Sequence, residues 1–145
     1  MTPEAARQLL ERVTEDWVAD PDSDAVWAGA HEGRWGVRLR QRTREATTIW
    51  FDVAERTIGV EAYLLPSPPR EREEVYRQAL RRNLTAWPAT IGVDSDGDLF
   101  IVARVPIANL TQADVDRAVG AVYQLVDLAF PSMISTGFAP REKSG

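Results

Sequence analysis

PATIGVDSDGDLFIVARVPIANLTQADVDRAVGAVYQLVDLAF, residues 88–130, reads as a strand, an acidic turn, a second strand, a capped entry and one long helix with an apolar stripe. Thr90-Ile91-Gly92-Val93 is β-prone and stops at Asp94-Ser95-Asp96-Gly97-Asp98; Leu99 to Val105 then resumes as a strand. Two such runs about an Asp-Gly pair predict a hairpin, because Gly97 reaches positive φ without a Cβ clash. Leu99, Ile101, Ala103 and Val105 fall on one side of the second strand, and Phe100, Val102 and Arg104 on the other. Pro106 has no N–H for a ladder and ends it.

Thr111-Gln112-Ala113-Asp114 is a capping pattern with Asp in place of Glu. Val115, Ala118, Val119, Val122, Val126 and Ala129 then share one helical face, and Pro131 predicts the end of the helix or a kink, with Ser132 to Phe138 as a short apolar continuation. Around Tyr123 and Leu128 the opposite side lacks a strong polar face. That predicts a second buried side, with Tyr123 and Leu128 as candidate dimer contacts.

Outward from this unit, Thr2-Pro3-Glu4 has the cap, first-turn proline and acidic residue of a helix start. Ala6, Leu9, Leu10, Val13 and Trp17 form its stripe, which ends before Pro21. Asp20-Pro21-Asp22-Ser23-Asp24 reads as a polar loop and Gly29-Ala30-His31-Glu32-Gly33 as a Gly-flanked loop, with no strand predicted before Arg34. Arg34 to Leu65 alternates with period two and predicts three strands, with Trp35, Val37, Leu39, Ile49, Phe51, Val53, Ile58, Val60, Ala62 and Leu64 inward. After Pro66-Ser67-Pro68-Pro69, residues 71–86 predict a second helix whose buried stripe is Val75, Tyr76, Ala79, Leu80 and Leu84. The resulting order is α-βββ-α-ββ-α: an α+β fold, an antiparallel sheet with helices mainly on one face, in a single domain over residues 1–138 and a flexible tail over 139–145.

That order resembles the YbjN-like family, bacterial domains labelled sensory transduction regulators. The motifs are the hairpin Val93-Asp94-Ser95-Asp96-Gly97-Asp98-Leu99, then Val105-Pro106, then Leu110-Thr111, with Asn83 ahead of the hairpin. The resemblance covers roughly Pro3 to Pro131. The family's fold is similar to that of class I type III secretion chaperones, which are small acidic homodimers. What the resemblance implies is this fold and a tendency to dimerise; it carries over no catalytic residue, and fold alone does not fix function.

Composition bounds the rest. The chain has 145 residues, 44% of them hydrophobic and 27% charged, which fits one soluble globular domain. It contains no cysteine, hence no disulfide framework or thiolate site. A net charge of −5 argues against general nucleic-acid or anionic-membrane binding. The N-terminal residues show no signal-peptide pattern, and no apolar run reads as long enough to span a bilayer, so the expected location is the cytoplasm.

Each candidate site has a plainer alternative. Asp94, Asp96 and Asp98 suggest a calcium loop, but an EF-hand spacing places Leu99 and Val105 where Gly and Glu are required, so a solvated turn is the simpler reading and no metal is expected. Arg38, Arg40, Arg42 and Arg44 have strand spacing: either they dock an acidic peptide or phosphate group, or they form a charged face that pairs with Asp52, Glu55 or Glu61. His31 is the single histidine, which leaves a multi-histidine metal site or a serine-type triad without its parts. Trp50 lies opposite Ile49 and Phe51 with Tyr63 on the next strand; an exposed contact surface and a face covered by a helix or a second subunit are equally compatible with that pattern. The acidic residues include no pair in an apolar setting, and there is no glycine-rich phosphate loop. The expectation is a protein that is not an enzyme and holds no cofactor: a protein-binding or chaperone-like homodimer acting on a partner polypeptide, with Trp50, Tyr63, Arg38, Arg40 and Arg42 as partner-binding candidates. The alternative is a regulatory or sensory domain that takes an acidic or phosphorylated ligand on the Arg38–Arg44 hairpin.

Overall fold

The computed structural model describes residues 1–139. In chain order the elements are α1 (Pro3–Ala19), β1 (Ala25–His31), β2 (Arg34–Arg40), β3 (Ala46–Val53), β4 (Thr57–Leu65), α2 (Arg72–Asn83), β5 (Thr90–Val93), β6 (Leu99–Pro106) and α3 (Gln112–Phe138). The strands form one antiparallel sheet in the order β1-β2-β3-β4-β6-β5. α1 packs on β1 and β3, α3 crosses β4 and β6, and α2 lies against β5 and α3. The fold class is the one the residue pattern predicts: α+β, with the helices on one face of an antiparallel sheet.

The inward set closes into one core. Val37, Ile49, Phe51, Ile58, Val60, Leu64, Leu99 and Ile101 from the sheet meet Leu10, Val13, Val115, Val119, Val122, Val126 and Met133 from the helices, all buried. The Thr2 hydroxyl accepts from the Ala5 N–H at 3.1 Å, and the Asp114 carboxylate accepts from the Thr111 N–H at 2.9 Å. Both predicted helix starts are thus capped by their own side chains.

Three local expectations are corrected. The region read as loop before Arg34 contains β1, which turns into β2 through Glu32 and Gly33 at φ 51° and 80°. Both central residues at positive φ make a type I′ turn, normally signalled by Asn-Gly or Asp-Gly; Glu-Gly hides it. Secondly, Leu80 and Leu84 are not buried: they are 70% and 84% exposed, and the face of α2 that meets the core is built on Val75 and Ala79. Thirdly, α3 does not stop short of bilayer length, because the helix takes the continuation that the residues beyond Pro131 allow. It runs on to Phe138, long and apolar enough by composition to cross a membrane, yet Val115 to Met133 turn their apolar stripe to the sheet and α2. Burial of Met133 and Gly137 beyond the proline offsets the hydrogen bond it forfeits; a Cβ on Gly137 would lie 2.9 Å from Val75 Cγ2, so α2 and α3 meet there at backbone distance. Of the predicted tail, residues 140–145 lie outside the described residues.

Asn83 ends α2 and holds the edge strand. Its amide donates to the Ile91 carbonyl at 2.9 Å and accepts from the Ile91 N–H at 2.8 Å, supplying the pair of bonds a neighbouring strand would make. The acidic hairpin is also accounted for. Asp94 Oδ1 accepts from the N–H groups of Asp96 and Asp98, Asp98 Oδ1 accepts from the Ser67 N–H at 2.8 Å, and the Tyr76 hydroxyl donates to the Gly97 carbonyl. The Asp94 and Asp98 carboxylates thus satisfy backbone donors of the turn and of Ser67.

Candidate functional site

Helices cover one face of the sheet, and among the described residues none covers the other. Register decides what that outer face presents. Gly29, Gly36, Trp50, Glu61, Val102 and Thr90 are successive Cα partners across all six strands, so one row contains two glycines beside a tryptophan. The tryptophans fill the space the glycines leave. A Cβ on Gly36 would sit 2.6 Å from Trp50 Cζ3, and one on Gly29 would sit 2.9 Å from Trp27 Cζ2. Trp27 meets Trp50 edge-on with ring centroids 6.2 Å apart, and His31 lies 5.9 Å from Trp50. On the next strand, β4, Tyr63 meets Phe100 of β6 edge-on at 5.5 Å.

Trp50 and Tyr63 therefore share the outer face, as the alternation predicts, but they are not a pair. Trp50 is opposite Glu61, and each ring has a different aromatic partner. Trp27 went unrecognised because its strand did; Phe100 was placed on this face, but its pairing needed the β4–β6 register. Tyr63 and Val102, on the interior strands β4 and β6, remain 44% and 39% exposed, and Trp27, on the edge strand β1, 38%.

The charges on this face divide in two. Arg34 donates to Asp52 Oδ2 at 2.9 Å and to Glu61 Oε2 at 2.7 Å, with its guanidinium carbon 5.6 Å from the Trp50 ring centroid. Burial works against its charge, but the hydrogen bonds to Asp52 and Glu61 outweigh that and raise its pKa. Arg34, not Arg38 or Arg40, is thus the residue that takes up Asp52 and Glu61. Arg38 bonds only the Thr48 hydroxyl at 3.2 Å, and Arg40 the Ser23 carbonyl at 3.2 Å. Among the described residues Arg38, Arg40 and Arg42 form no ion pair. Arg44 is a different case. It donates to the Leu64 and Tyr63 carbonyls at 2.8 and 2.7 Å and lies 5.1 Å over the Phe130 ring, and its burial lowers its pKa. It ties the β2–β3 connection to β4 and α3.

The two candidate dimer contacts, Tyr123 and Leu128, have different surroundings within the chain. The Tyr123 hydroxyl bonds Asp24 at 3.2 Å, while the Tyr123 carbonyl accepts from Gln41, on the β1–β2 side of α3. Leu128, 52% exposed, faces α2 and lines a groove of about 210 Å³ with Arg82, Trp87, Gln124 and Leu125. Trp87 itself is 81% exposed.

A family model described as "Putative bacterial sensory transduction regulator", YbjN, matches residues 10–135. An uncharacterized protein of Mycobacterium tuberculosis H37Rv is 33% identical over 98 residues, 68% of this chain and 53% of that protein. An uncharacterized protein of Mycobacterium leprae is 29% identical over 114 residues, 77% of this chain and 62% of that protein. The chain therefore spans about half the length of the relatives it matches. In structure it resembles a chain of the ExoU-SpcU complex from the type III secretion system of Pseudomonas aeruginosa, with TM-score 0.56, 16% identity, and coverage of 83% of this chain and 94% of that one. It also resembles a chain of the HopA1-SchA chaperone-effector complex, with TM-score 0.56, 16% identity, and coverage of 88% and 94%. A chain of the ExsC-ExsE complex matches with TM-score 0.56 at 13% identity, with coverage of 87% and 91%. At these identities the likeness is one of fold.

Proposed function

The chain belongs to the YbjN family, and from that premise we propose that it is a non-enzymatic, cytoplasmic protein-binding module, chaperone-like, that acts as a homodimer on a partner polypeptide. One observation carries the reading: the outer sheet face is bare of helices yet paved with Trp27, Trp50, Tyr63 and Phe100, with Arg38 and Arg40 unpaired beside them. Aromatic rings fixed by their neighbours give contact area at low entropic cost, and flanking arginines favour a segment that carries carboxylates. The likeness to chains solved in a chaperone-effector complex supports the same reading at the level of fold.

The test is a peptide array probed with the full chain, followed by titration of the positive peptides. Tyr63→Ala and Trp50→Ala are expected to weaken binding about tenfold or more, a loss of roughly 1.4 kcal/mol each, while circular dichroism stays unchanged. No binding peptide, or binding indifferent to both substitutions, overturns the reading.

The three unpaired arginines favour a second reading, a regulatory domain for an acidic or phosphorylated ligand on the β2–β3 hairpin. It is the weaker one, because Arg44 is consumed by the fold. A thermal-shift screen with inorganic phosphate and phosphotyrosine separates the two. Stabilisation that Arg38→Glu abolishes supports the ligand; no shift with either probe rejects it.

A further inference from the structure

Among the described residues, four glycines hold outward positions in the sheet: Gly29, Gly36, Gly59 and Gly92. Trp27 and Trp50 fill the space beside the first two, and Gly92 lies on the edge strand β5. Gly59 is different. It sits in the interior strand β4, and a Cβ there would meet nothing nearer than the Asp52 Cβ and carbonyl oxygen at 3.8 Å, an ordinary contact. Its φ lies outside the left-handed region, so the backbone does not call for glycine either. A glycine inside a strand weakens it and often marks a place where another chain comes close.

The gap is the floor of a notch. Asp52, Gly59 and Arg104 are successive partners across β3, β4 and β6. The notch is open, about 460 Å³, with Asp52 and Glu61 on one wall and Thr90, Val102 and Arg104 on the other. The walls differ in charge. Asp52 and Glu61 already share Arg34, at 2.9 and 2.7 Å. Arg104 is exposed and forms no ion pair among the described residues. A carboxylate on an occupant is therefore drawn to the β6 wall and repelled from the β3 wall. Between them, an aromatic ring suits both sides: its electropositive edge meets the carboxylates, and its face accepts a guanidinium. Rings already cover the strand glycines Gly29 and Gly36 on this same face, where they shield bare backbone.

We infer that the notch over Gly59 seats an aromatic side chain of the partner polypeptide, with a carboxylate of the same segment on Arg104. The inference rests on the protein-binding reading above and names what the partner carries at this point of the face.

A fluorescein-labelled peptide of alternating glutamate and tyrosine, titrated into the full chain and followed by anisotropy, tests it. The peptide is expected to bind, and its counterpart with serine for tyrosine to bind about tenfold more weakly or worse. Gly59→Val fills the notch with a side chain that strands favour and that has room. It is expected to weaken the tyrosine peptide about tenfold while the thermal midpoint holds or rises. Arg104→Gln, at an exposed position, is expected to weaken it about threefold, the scale of an exposed ion pair. A tyrosine peptide that binds Gly59→Val as tightly as the unaltered chain overturns the notch; if Trp50→Ala and Tyr63→Ala, titrated alongside, still weaken it, the protein-binding reading stands. No binding of the tyrosine peptide, or equal binding of the serine peptide, overturns the inference, and the peptide array decides the broader reading separately. Two other occupants have their own signatures. If Gly59→Val changes the mass of the chain in light scattering, a second copy fills the notch. If a poly(dT) oligonucleotide binds the unaltered chain but not Gly59→Val, a base does. Either result overturns the inference.

Discussion

Arg38 and Arg44 have the same strand spacing and opposite fates. β2 ends at Arg40, so the period-two reading of Arg38 to Arg44 runs past the strand into a connection with its own geometry. Arg44 there satisfies two carbonyls of β4 and stacks on Phe130. Its replacement by alanine is expected to cost about 2–4 kcal/mol, from charged-donor hydrogen bonds and lost ring contact. Arg38→Ala, exposed with one long bond, is expected to change stability by less than about 0.5 kcal/mol. Urea titrations of the two variants check the contrast, and equal costs would mean that Arg44 is not the clamp described. Asn83 is legible in the same limited way: its position before the hairpin is visible in the sequence, whereas its role needs the strand at its side. Asn83→Ala strips the Ile91 N–H and carbonyl of their partners and is expected to cost about 1–2 kcal/mol, with faster hydrogen exchange at Ile91.

At the level of elements, hydrophobic period two located β2, β3, β4 and β6, because each has a buried and an open side, and β-prone residues ahead of the Asp-Gly turn located β5. β1 escaped since Ala25, Ala28, Gly29 and Ala30 carry little periodic signal; its outward residue of weight is Trp27, which covers glycine instead of joining the core. α2 misled in the other direction. Helical periodicity says that Leu80 and Leu84 belong together on one face, but it does not say whether that face meets the sheet. α3 shows tertiary packing deciding between the outcomes a proline allows: an end or a kink is predicted at Pro131, and the apolar stripe that continues to Met133 favours continuation over an end. Pro131→Ala is therefore expected to stabilise, by about 1–2 kcal/mol, less than the full helix-interior penalty because the surrounding turn has already adapted. A rise in the thermal midpoint without change in helix content checks this; a fall would mean that the proline's own contacts outweigh the hydrogen bond it removes.

Across the whole molecule, the β2–β3 connection is pinned to α3 by side chains that only the tertiary fold brings together, and this pinning makes stability depend on acid. The Asp127 carboxylate accepts from the Thr43 hydroxyl at 2.8 Å and from the Thr43 N–H at 3.2 Å. Burial works to raise its pKa, but hydrogen bonds from Gln41 and Thr43, with the charge of Arg42, outweigh that and hold it below the usual carboxylate range. A carboxylate whose folded pKa is depressed binds protons more readily once unfolded. Its contribution is therefore fully present above the unfolded value near pH 3.9 and disappears as pH falls through the lower folded one. Asp114 shifts in the same direction, chiefly through the Thr111 N–H and hydroxyl that it accepts, and adds to the same acid limb. Unfolding free energy of the unaltered chain is expected to hold level near neutrality and to fall progressively below about pH 5. Asp127→Asn keeps an acceptor for Thr43 but removes the charge. It is expected to cost about 1 kcal/mol at pH 7, the low end for a charge-assisted bond because solvent screens a half-exposed group, and to flatten the acid limb so that the two curves converge toward pH 2. Curves that stay parallel down to that pH would show that Asp127 titrates alike in both states, and that the tie between hairpin and helix owes nothing to its charge.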